Sequence, residues 1–136
     1  MSTPAAKTRE LTSCTIRSPP YAYAHLTSTT HGSTANDIDI DEGLDALQVR
    51  AYCTAALRQF LGDTGAAISV DTLLVRGADV WLRVPRQDLG AFAAAMTAYG
   101  GMSRGGGATT VMRLQTCGDW LGSLLGRAGE SQVWGE

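Results

Sequence analysis

The stretch VDTLLVRGADVWLRVP, residues 70–85, decides the fold, because it reads as two β-strands joined by a tight turn. Both arms are rich in β-branched and apolar residues, and Gly77 with Ala78 suits a two-residue type II′ loop. The sequence therefore predicts an antiparallel hairpin. The predicted register pairs Arg76 with Asp79, Val75 with Val80, Leu74 with Trp81, Leu73 with Leu82 and Thr72 with Arg83.

The two faces of this hairpin differ in polarity. One face is predicted to lie against the core and carries Leu73, Val75, Val80, Leu82 and Val84. The other face mixes charged and apolar residues, namely Thr72, Leu74, Arg76, Asp79, Trp81 and Arg83. A slip of one residue would exchange the faces, so the assignment depends on the turn.

Length and composition predict one globular domain. The chain has 136 residues, of which 44% are hydrophobic and 18% charged. We expect a tail at 1–18, a domain at 19–126 and a second tail at 127–136. The apolar runs are too short to cross a bilayer and the first residues do not resemble a signal peptide, which predicts a soluble intracellular protein without a membrane partner. Three widely spaced cysteines favour reduced thiols over disulfides or zinc, and no cofactor is expected.

The charge is unevenly distributed along the chain. The net charge is −2, yet five acids cluster at Asp37, Asp39, Asp41, Glu42 and Asp45. Ten of the eleven basic residues are arginine, whose guanidinium suits phosphates and carboxylates. Arginine-rich codon usage explains the same count, so contact with RNA and a genomic bias are both open.

The stretch YAYAHLTS, residues 21–28, alternates as a half-buried strand does. Ala22, Ala24 and Leu26 are predicted to face the core. Tyr21, Tyr23, His25 and Thr27 then point away from it. A Ser-, Thr- and Gly-rich loop follows, and Asp39 with Glu42 is a variant of the capping box that starts a helix.

Residues 44–61 are predicted to form a helix that ends at Gly62. One apolar stripe is formed by Leu44, Leu47, Ala51, Leu57 and Leu61. A second set lies beside it and is formed by Val49, Cys53, Ala56 and Phe60. A helix on a sheet needs one stripe, so the second set, bordered by Arg50 and Arg58, is predicted to bind a partner protein. The alternative is that the N-terminal segment folds back over it.

Three further elements complete the chain. A helix over 87–99 is predicted to bury Leu89, Phe92, Ala93 and Met96. A strand over 109–116 is predicted to turn Met112 and Leu114 inward and Val111, Arg113 and Gln115 outward. Asp119 is predicted to cap a short helix in the C-terminal motif Asp119, Trp120, Leu121 and Gly122. Residues 119–125 are predicted to cover the mixed sheet face by burying Trp120, Leu121, Leu124 and Leu125.

The order strand, helix, strand, strand, helix, strand predicts an α+β, ferredoxin-like (RRM-like) sandwich. Such a fold has a four-stranded antiparallel sheet with two main helices on one face, here with a short C-terminal helix. The first and third strands are central in it. Tyr21, Tyr23, His25, Trp81 and Arg83 are therefore expected to meet on the face away from the helices.

Three stretches together resemble a known family: YAYAHL, AALRQFLGDTGAAISVDTLLVRGADVWLRVPRQD and RLQTCGDWLGSLLG. They are similar to the small Pop-type protein subunits of eukaryotic ribonuclease P and ribonuclease MRP, most of all the fungal eighth Pop subunit. The resemblance implies a non-catalytic subunit of a nuclear and nucleolar ribonucleoprotein that processes precursor tRNA 5′ ends or ribosomal RNA. It also implies that structured RNA carries the catalysis and that another Pop-type subunit is a partner.

Two other functions are compatible with the predicted fold. A stand-alone RRM-like module would stack single-stranded RNA on Tyr21, Tyr23 and Trp81, with His25, Arg76, Arg83 and Arg113 alongside. The segment RGADVWLR, however, lacks the spaced aromatics of an RRM third strand. A small ferredoxin-like enzyme or ligand-binding domain would need a phosphate-binding loop with a fixed arginine and an orienting side chain. Gly105, Gly106 and Gly107 have no lysine or serine at phosphate-loop positions, and the arginines are scattered along the strands.

Overall fold

The computed structural model describes residues 9–32, 44–103 and 107–125. The strands are β1 (Tyr21–His31), β2 (Asp71–Arg76), β3 (Asp79–Pro85), β4 (Met102–Ser103) and β5 (Thr109–Gly118). The helices are α1 (Ala46–Leu61), α2 (Asp63–Ala66) and α3 (Leu89–Ala98), with a 3₁₀ turn Arg86–Asp88 between β3 and α3. Residues 121–125 are also helical. Among the described helices, none is long and apolar enough to cross a membrane.

All strands pair antiparallel in one sheet of order β2-β3-β1-β5-β4. The α+β class is confirmed, but the predicted count of four strands is wrong, because the sheet has five. The additional strand is β4, in which Met102 pairs with Thr110 and Ser103 with Thr109. A two-residue strand gives no alternating pattern, so hydrophobic periodicity cannot reveal it.

The hairpin turn forms where the sequence places it. Gly77 has a φ of +58°, as the first loop position of a primed turn requires. The pairs Arg76 with Asp79, Val75 with Val80 and Leu74 with Trp81 are confirmed. The pairs predicted for Leu73 and Thr72 are wrong, because a β-bulge between Thr72 and Leu74 shifts the register, so that Thr72 pairs with Leu82 and Asp71 with Arg83.

The bulge also moves one leucine out of the predicted core face. Leu73 is the extra residue of the bulge and is exposed, whereas Val80, Leu82 and Val84 are fully buried. The shift brings Asp71 opposite Arg83, and two Arg83 nitrogens donate hydrogen bonds to Asp71 Oδ2 at 2.9 and 3.1 Å. The bulge therefore removes Leu73 from the core face and allows an ion pair between Asp71 and Arg83 at the sheet edge.

The core lies between the sheet and the pair α1 and α3, and we call this side of the sheet the inner face. The predicted alternation of β1 is confirmed, because Ala22, Ala24 and Leu26 are all fully buried. The other buried members are Val49, Tyr52, Cys53, Ala56, Leu57, Val80, Leu82, Val84, Phe92, Ala95, Met96 and Met112. In α3 the structure buries Ala95, whereas the sequence predicted Ala93, which is half-buried.

Helix α1 begins at a different capping box and buries a different face from those predicted. Asp45 is the N-cap: its Oδ1 accepts from Leu47 N at 3.3 Å, and Gln48 Oε1 accepts from Asp45 N at 3.4 Å. The predicted box of Asp39 and Glu42 lies outside the described residues, as do the other acids of the cluster before Asp45. The core-facing stripe consists of Val49, Tyr52, Cys53, Ala56 and Leu57.

Both predicted stripes of α1 are therefore corrected. Leu47 is 72% exposed and Ala51 is exposed, so neither belongs to the core. The supposed second set lies mostly inside the protein, because Val49, Cys53 and Ala56 are all buried. The helix has one apolar stripe, as a helix packed on a sheet requires. The tail boundaries at 18 and 126 stay predictions.

Burial of Cys53 leads to a prediction about thiol reactivity. Desolvation raises the pKa of Cys53 to about 12, from an ordinary 9.0. At pH 8 we expect iodoacetamide to label Cys53 about 10³-fold more slowly in the folded protein than in the unfolded chain, and more slowly than the exposed Cys14 and Cys117, because the thiolate is the nucleophile. Mass spectrometry of the folded protein, with a urea-unfolded control in which all three react, measures this ratio. Equal rates for Cys53 and Cys117 in the folded protein would contradict the buried position.

The same pKa shift gives the sign of a pH effect. Since the pKa of Cys53 is higher in the folded protein than in the unfolded chain, the thiol contributes stability that is fully present below about pH 9. That contribution is lost as the pH rises through about 12.

Candidate protein-binding and RNA-binding surfaces

The register places the predicted sheet-face residues on the outer face, the side of the sheet away from α1 and α3. Tyr23 pairs with Arg83, His25 with Trp81, and Thr27 with both Asp79 and Arg113. Arg76 pairs with Asp79 on the edge strand β2. The face is therefore shared by four strands, but its members differ in how accessible they are.

The centre of the outer face is closed. Trp81 is only 3% exposed, and its ring stacks on His25 with centroids 4.7 Å apart and planes 4° apart. His25 Nε2 lies 3.0 Å from Asp79 Oδ1, which also accepts from Thr27 Oγ1 at 2.9 Å. The buried Trp81 Nε1 has no hydrogen-bond acceptor among the described residues. A base could not stack on Trp81 without displacing what covers it.

Two of the arginines on this side are already paired with carboxylates. The Arg83 guanidinium carbon lies 4.4 Å from the Tyr21 ring centroid, and hydrogen bonding to Asp71 raises the pKa of Arg83. Arg86 Nε lies 3.4 Å from Asp119 Oδ1. Within the described part of the chain, no carboxylate lies within 4.0 Å of Arg76 or Arg113. These two guanidiniums of the outer face therefore have no carboxylate partner among the described residues.

Residues 119–125 bear on what covers the outer face. Trp81 and Leu124 are both almost fully buried, yet neither belongs to the core cluster. The main helices lie on the inner face, and residues 9–18 are all exposed, so residues 119–125, with the buried Leu124, are the described segment best suited to cover Trp81. This burial supports the predicted covering role of residues 119–125, which stays a prediction. Of the four side chains predicted to be buried there, Leu124 is buried and Leu121 half-buried, whereas Trp120 is 56% and Leu125 41% exposed.

Most residues of the predicted partner surface on α1 are buried, and only those at its edge are exposed. Val49, Cys53 and Ala56 lie in the core and cannot reach a partner, whereas Arg50 and Arg58 are exposed and Phe60 is 50% exposed. A groove of about 110 Å³ runs between α1 and α3 beside Phe60. Its lining consists of Ala56, Gln59, Phe60, Ala95, Ala98 and Tyr99.

Helix α3 adds a surface that the sequence reasoning missed. Its ten residues, LGAFAAAMTA, include no charged side chain, and its exposed positions are Gly90, Ala94, Thr97 and Ala98. Thr97 Oγ1 donates to Ala93 O at 2.8 Å, so its hydroxyl is engaged within the helix. The absence of charged residues from this helix sequence indicates such a surface, because a water-facing helix surface normally carries charged or strongly polar residues. Together with Phe60, this surface is small, apolar and uncharged.

A larger groove, of about 380 Å³, lies between α1 and the strands β4 and β5. Its lining is Leu44, Gln48, Ala51, Tyr52, Met102, Thr110 and Met112. The Tyr52 hydroxyl accepts from Met112 N at 3.0 Å, and desolvation raises the pKa of Tyr52. Across residues 9–32, 44–103 and 107–125, no group of three or more His, Cys, Asp or Glu side chains could hold a metal ion.

A family model described as "Ribonucleases P/MRP protein subunit Pop8" matches residues 20–99, more than half of the 136-residue chain. The chain belongs to the Pop8 family. This confirms the resemblance noted in the sequence and the expectation of a ribonuclease P/MRP protein subunit, with the other components of that particle as its partners. The match ends just after α3, so β4, β5 and residues 119–125 lie beyond it.

The fold of this Pop8-family protein is also found in a solved structure. A chain of the "Cryo-EM structure of yeast Ribonuclease MRP" superposes with a TM-score of 0.63 and 15% identity, covering 88% of this chain and 98% of that chain. At this identity the similarity concerns the fold alone. No curated protein matches the sequence.

Proposed function

We propose that this chain is a non-catalytic accessory subunit that pairs with another Pop-type protein through the outer surface of α1 and α3. In this proposal the RNA of the particle carries the catalysis, and the protein works in the nucleus and nucleolus. The observation that carries the pairing is the half-exposed Phe60 beside the uncharged helix α3. We call Phe60 and the exposed residues of α3 the helical-layer surface.

The fold proposed for this role is a ferredoxin-like sandwich with one added edge strand. The four long strands lie in the order β2-β3-β1-β5, with β1 and β3 adjacent in the middle. Helix α1 joins β1 to β2, and α3 follows β3. This connection order is that of the split βαβ arrangement, and the short β4 extends it at the β5 edge.

The chemistry of the helical-layer surface favours a protein over RNA. RNA binding draws most of its affinity from cations that neutralise phosphates, and α3 has none. Small side chains such as Gly90, Ala94 and Ala98 instead allow another backbone to approach closely. Phe60 adds a half-exposed aromatic, a residue type that is enriched at protein interfaces relative to the rest of the surface. The exposed Arg50 and Arg58 on α1 could pair with acids of the partner and fix its orientation.

The accessory role is supported by the family and by the chemistry of the grooves. Both grooves on the helical side are lined mainly by apolar residues, without a cluster of acids or histidines among the lining residues described. RNA contact is proposed for Arg113, which lies opposite Thr27 on the β5 side of the outer face. A stand-alone RNA-stacking module is not favoured, because the central Trp81 is buried.

The pairing is tested by one substitution and a matched control. We expect Phe60→Asp to weaken binding to the Pop-type partner by about 30-fold or more, because it places a charge in an apolar interface. Leu47→Asp introduces the same side chain at another exposed apolar position of α1 and is expected to change the affinity less than about threefold. Isothermal titration with co-expressed and separately purified chains gives both affinities.

Three results would contradict the pairing. The wild-type chain could be a stable monomer without affinity for any Pop-type subunit. Phe60→Asp could leave binding intact, or Leu47→Asp could weaken it equally. Circular dichroism and melting curves of both variants show that a lost affinity is not a lost fold, since both positions are solvent-exposed.

A further inference from the structure

We propose that the outer face of the sheet carries a second docking surface, formed by Leu74, Trp120 and Leu125, for an apolar segment of another protein that also bears a carboxylate. We call these three residues the outer-face patch. The inference goes beyond the proposed pairing, because the patch lies on the opposite side of the sheet from the helical-layer surface. A subunit with both surfaces connects two proteins of its particle.

The sheet register fixes the position of the first member. Leu74 pairs with Trp81, so its side chain points to the outer face. Leu74 lies on the edge strand β2 and is 39% exposed, whereas Trp81 one strand further in is buried. The patch therefore begins at the border of the covered region.

The other two members, Trp120 and Leu125, belong to residues 119–125, whose predicted position over Trp81 is supported by the burial of Leu124. The ion pair of Asp119 with Arg86 anchors the start of this segment at the turn that follows β3. Leu124 is 2% exposed outside the core cluster, which indicates that the helical residues 121–125 lie against the outer face. Trp120 is 56% exposed and Leu125 41% exposed, so this segment buries one side and presents large apolar groups on another. Three large apolar side chains thus remain exposed to water, one on β2 and two on the segment that follows β5.

The charges around the outer-face patch indicate which kind of partner it would bind. The nearby charges are paired within the chain, Arg83 with Asp71 and Arg86 with Asp119. Arg76 lies two residues after Leu74 on the same face, and no carboxylate is within 4.0 Å of it among the described residues. A neutral apolar patch with one available guanidinium matches an apolar protein segment carrying an Asp or Glu. An RNA strand would meet one cation and three apolar groups, which gives little phosphate neutralisation.

The partner is identified by photo-crosslinking in the assembled particle, purified through a tag on this chain. Leu125→Cys is made in a Cys14→Ser and Cys117→Ser background, so that a benzophenone maleimide labels position 125 while Cys53 stays buried. We expect a crosslink to an apolar, acid-containing peptide of another protein. The same label on Leu47→Cys, exposed on α1, is expected not to yield that peptide.

Affinity measurements then separate this surface from the helical layer. With the crosslinked protein as the titrant, we expect Leu74→Glu and Leu125→Glu each to weaken binding by about tenfold or more. Arg76→Glu is expected to weaken it by about threefold to tenfold, with an effect that shrinks at high salt. Phe60→Asp is expected to leave this affinity unchanged, so failure here and failure of the helical-layer pairing are distinguishable.

Every other crosslinking result overturns the proposal. A crosslink to RNA would mean that the face binds nucleic acid. A crosslink to residues 126–136 of the same chain would mean that its own C-terminus occupies the patch. A label that yields no product, or a titration insensitive to both leucine substitutions, would mean that the patch has no partner.

Discussion

Gly65→Ala is expected to lower the free energy of unfolding by about 3 kcal/mol, as overpacking at a rigid contact does. Gly65 is buried in α2, where the chain folds back against the end of α1. A Cβ on Gly65 would clash with the Leu57 carbonyl and would lie 2.9 Å from the Leu61 Cβ. Both neighbours are held in α1 and cannot rotate away, so α2 has to move as a unit. Urea unfolding followed by circular dichroism measures the change.

Gly90→Ala is the matched control for this substitution. Gly90 also lies in a helix, but no atom is within 4 Å of a Cβ placed there. Alanine should therefore raise the stability by up to about 1 kcal/mol, because glycine is the poorer helix former. If Gly65→Ala is as well tolerated as Gly90→Ala, then α2 does not pack on α1 as closely as described.

In the central hairpin, local sequence predicts the turn and the first strand pairs but not the bulge. The positive φ at Gly77 and the first three pairs follow from turn chemistry and alternation alone. The bulge at Leu73 does not follow from them, because the same sequence is equally compatible with a regular strand in which Leu73 faces the core. It is accompanied by an ion pair between Asp71 and Arg83, which forms only in the shifted register. The register of β2 on β3 is therefore accompanied by a contact between the two strands, which the pattern of either strand alone cannot show.

The prediction of the buried face of α1 was wrong for a different reason. Its sequence is apolar on more than one side, so counting hydrophobic residues does not single out the core face. Tyr52 was absent from both predicted stripes, yet it is buried in the core. Its hydroxyl needs a hydrogen-bond partner to be buried, and Met112 N on β5 provides one. Because that partner is 60 residues away in the chain, no local pattern indicates it.

The candidate surfaces were predictable to different degrees. The outer-face positions of Tyr23, His25, Trp81 and Arg83 followed from the order and alternation of the strands. The stack of His25 on Trp81 joins two neighbouring strands, and the nearly complete burial of Trp81 depends on contacts that no local pattern shows. The uncharged surface of α3, in contrast, is visible in ten letters of sequence and could have been found by asking which helix lacks a solvent-facing charge.

Truncation after Gly118 is expected to lower the melting temperature by about 10 °C, which for a domain of this size corresponds to roughly 3 kcal/mol. The cut removes the segment that carries the buried Leu124 and opens the outer face at Trp81. It also removes Trp120 and Trp134, so Trp81 is the single tryptophan that remains. Its emission then reports directly on whether the face has been uncovered.

The reference for this experiment is the full-length chain with Trp120→Phe and Trp134→Phe, in which Trp81 is again the single tryptophan. We expect blue-shifted emission and weak quenching by acrylamide in the reference, and red-shifted, readily quenched emission after truncation. Leu124→Ala in the reference background should give a smaller shift in the same direction while far-ultraviolet circular dichroism stays constant, which distinguishes an opened face from an unfolded chain. Because no other described segment is placed to cover Trp81, unchanged emission and melting in the truncated chain would show that residues 119–125 do not cover it.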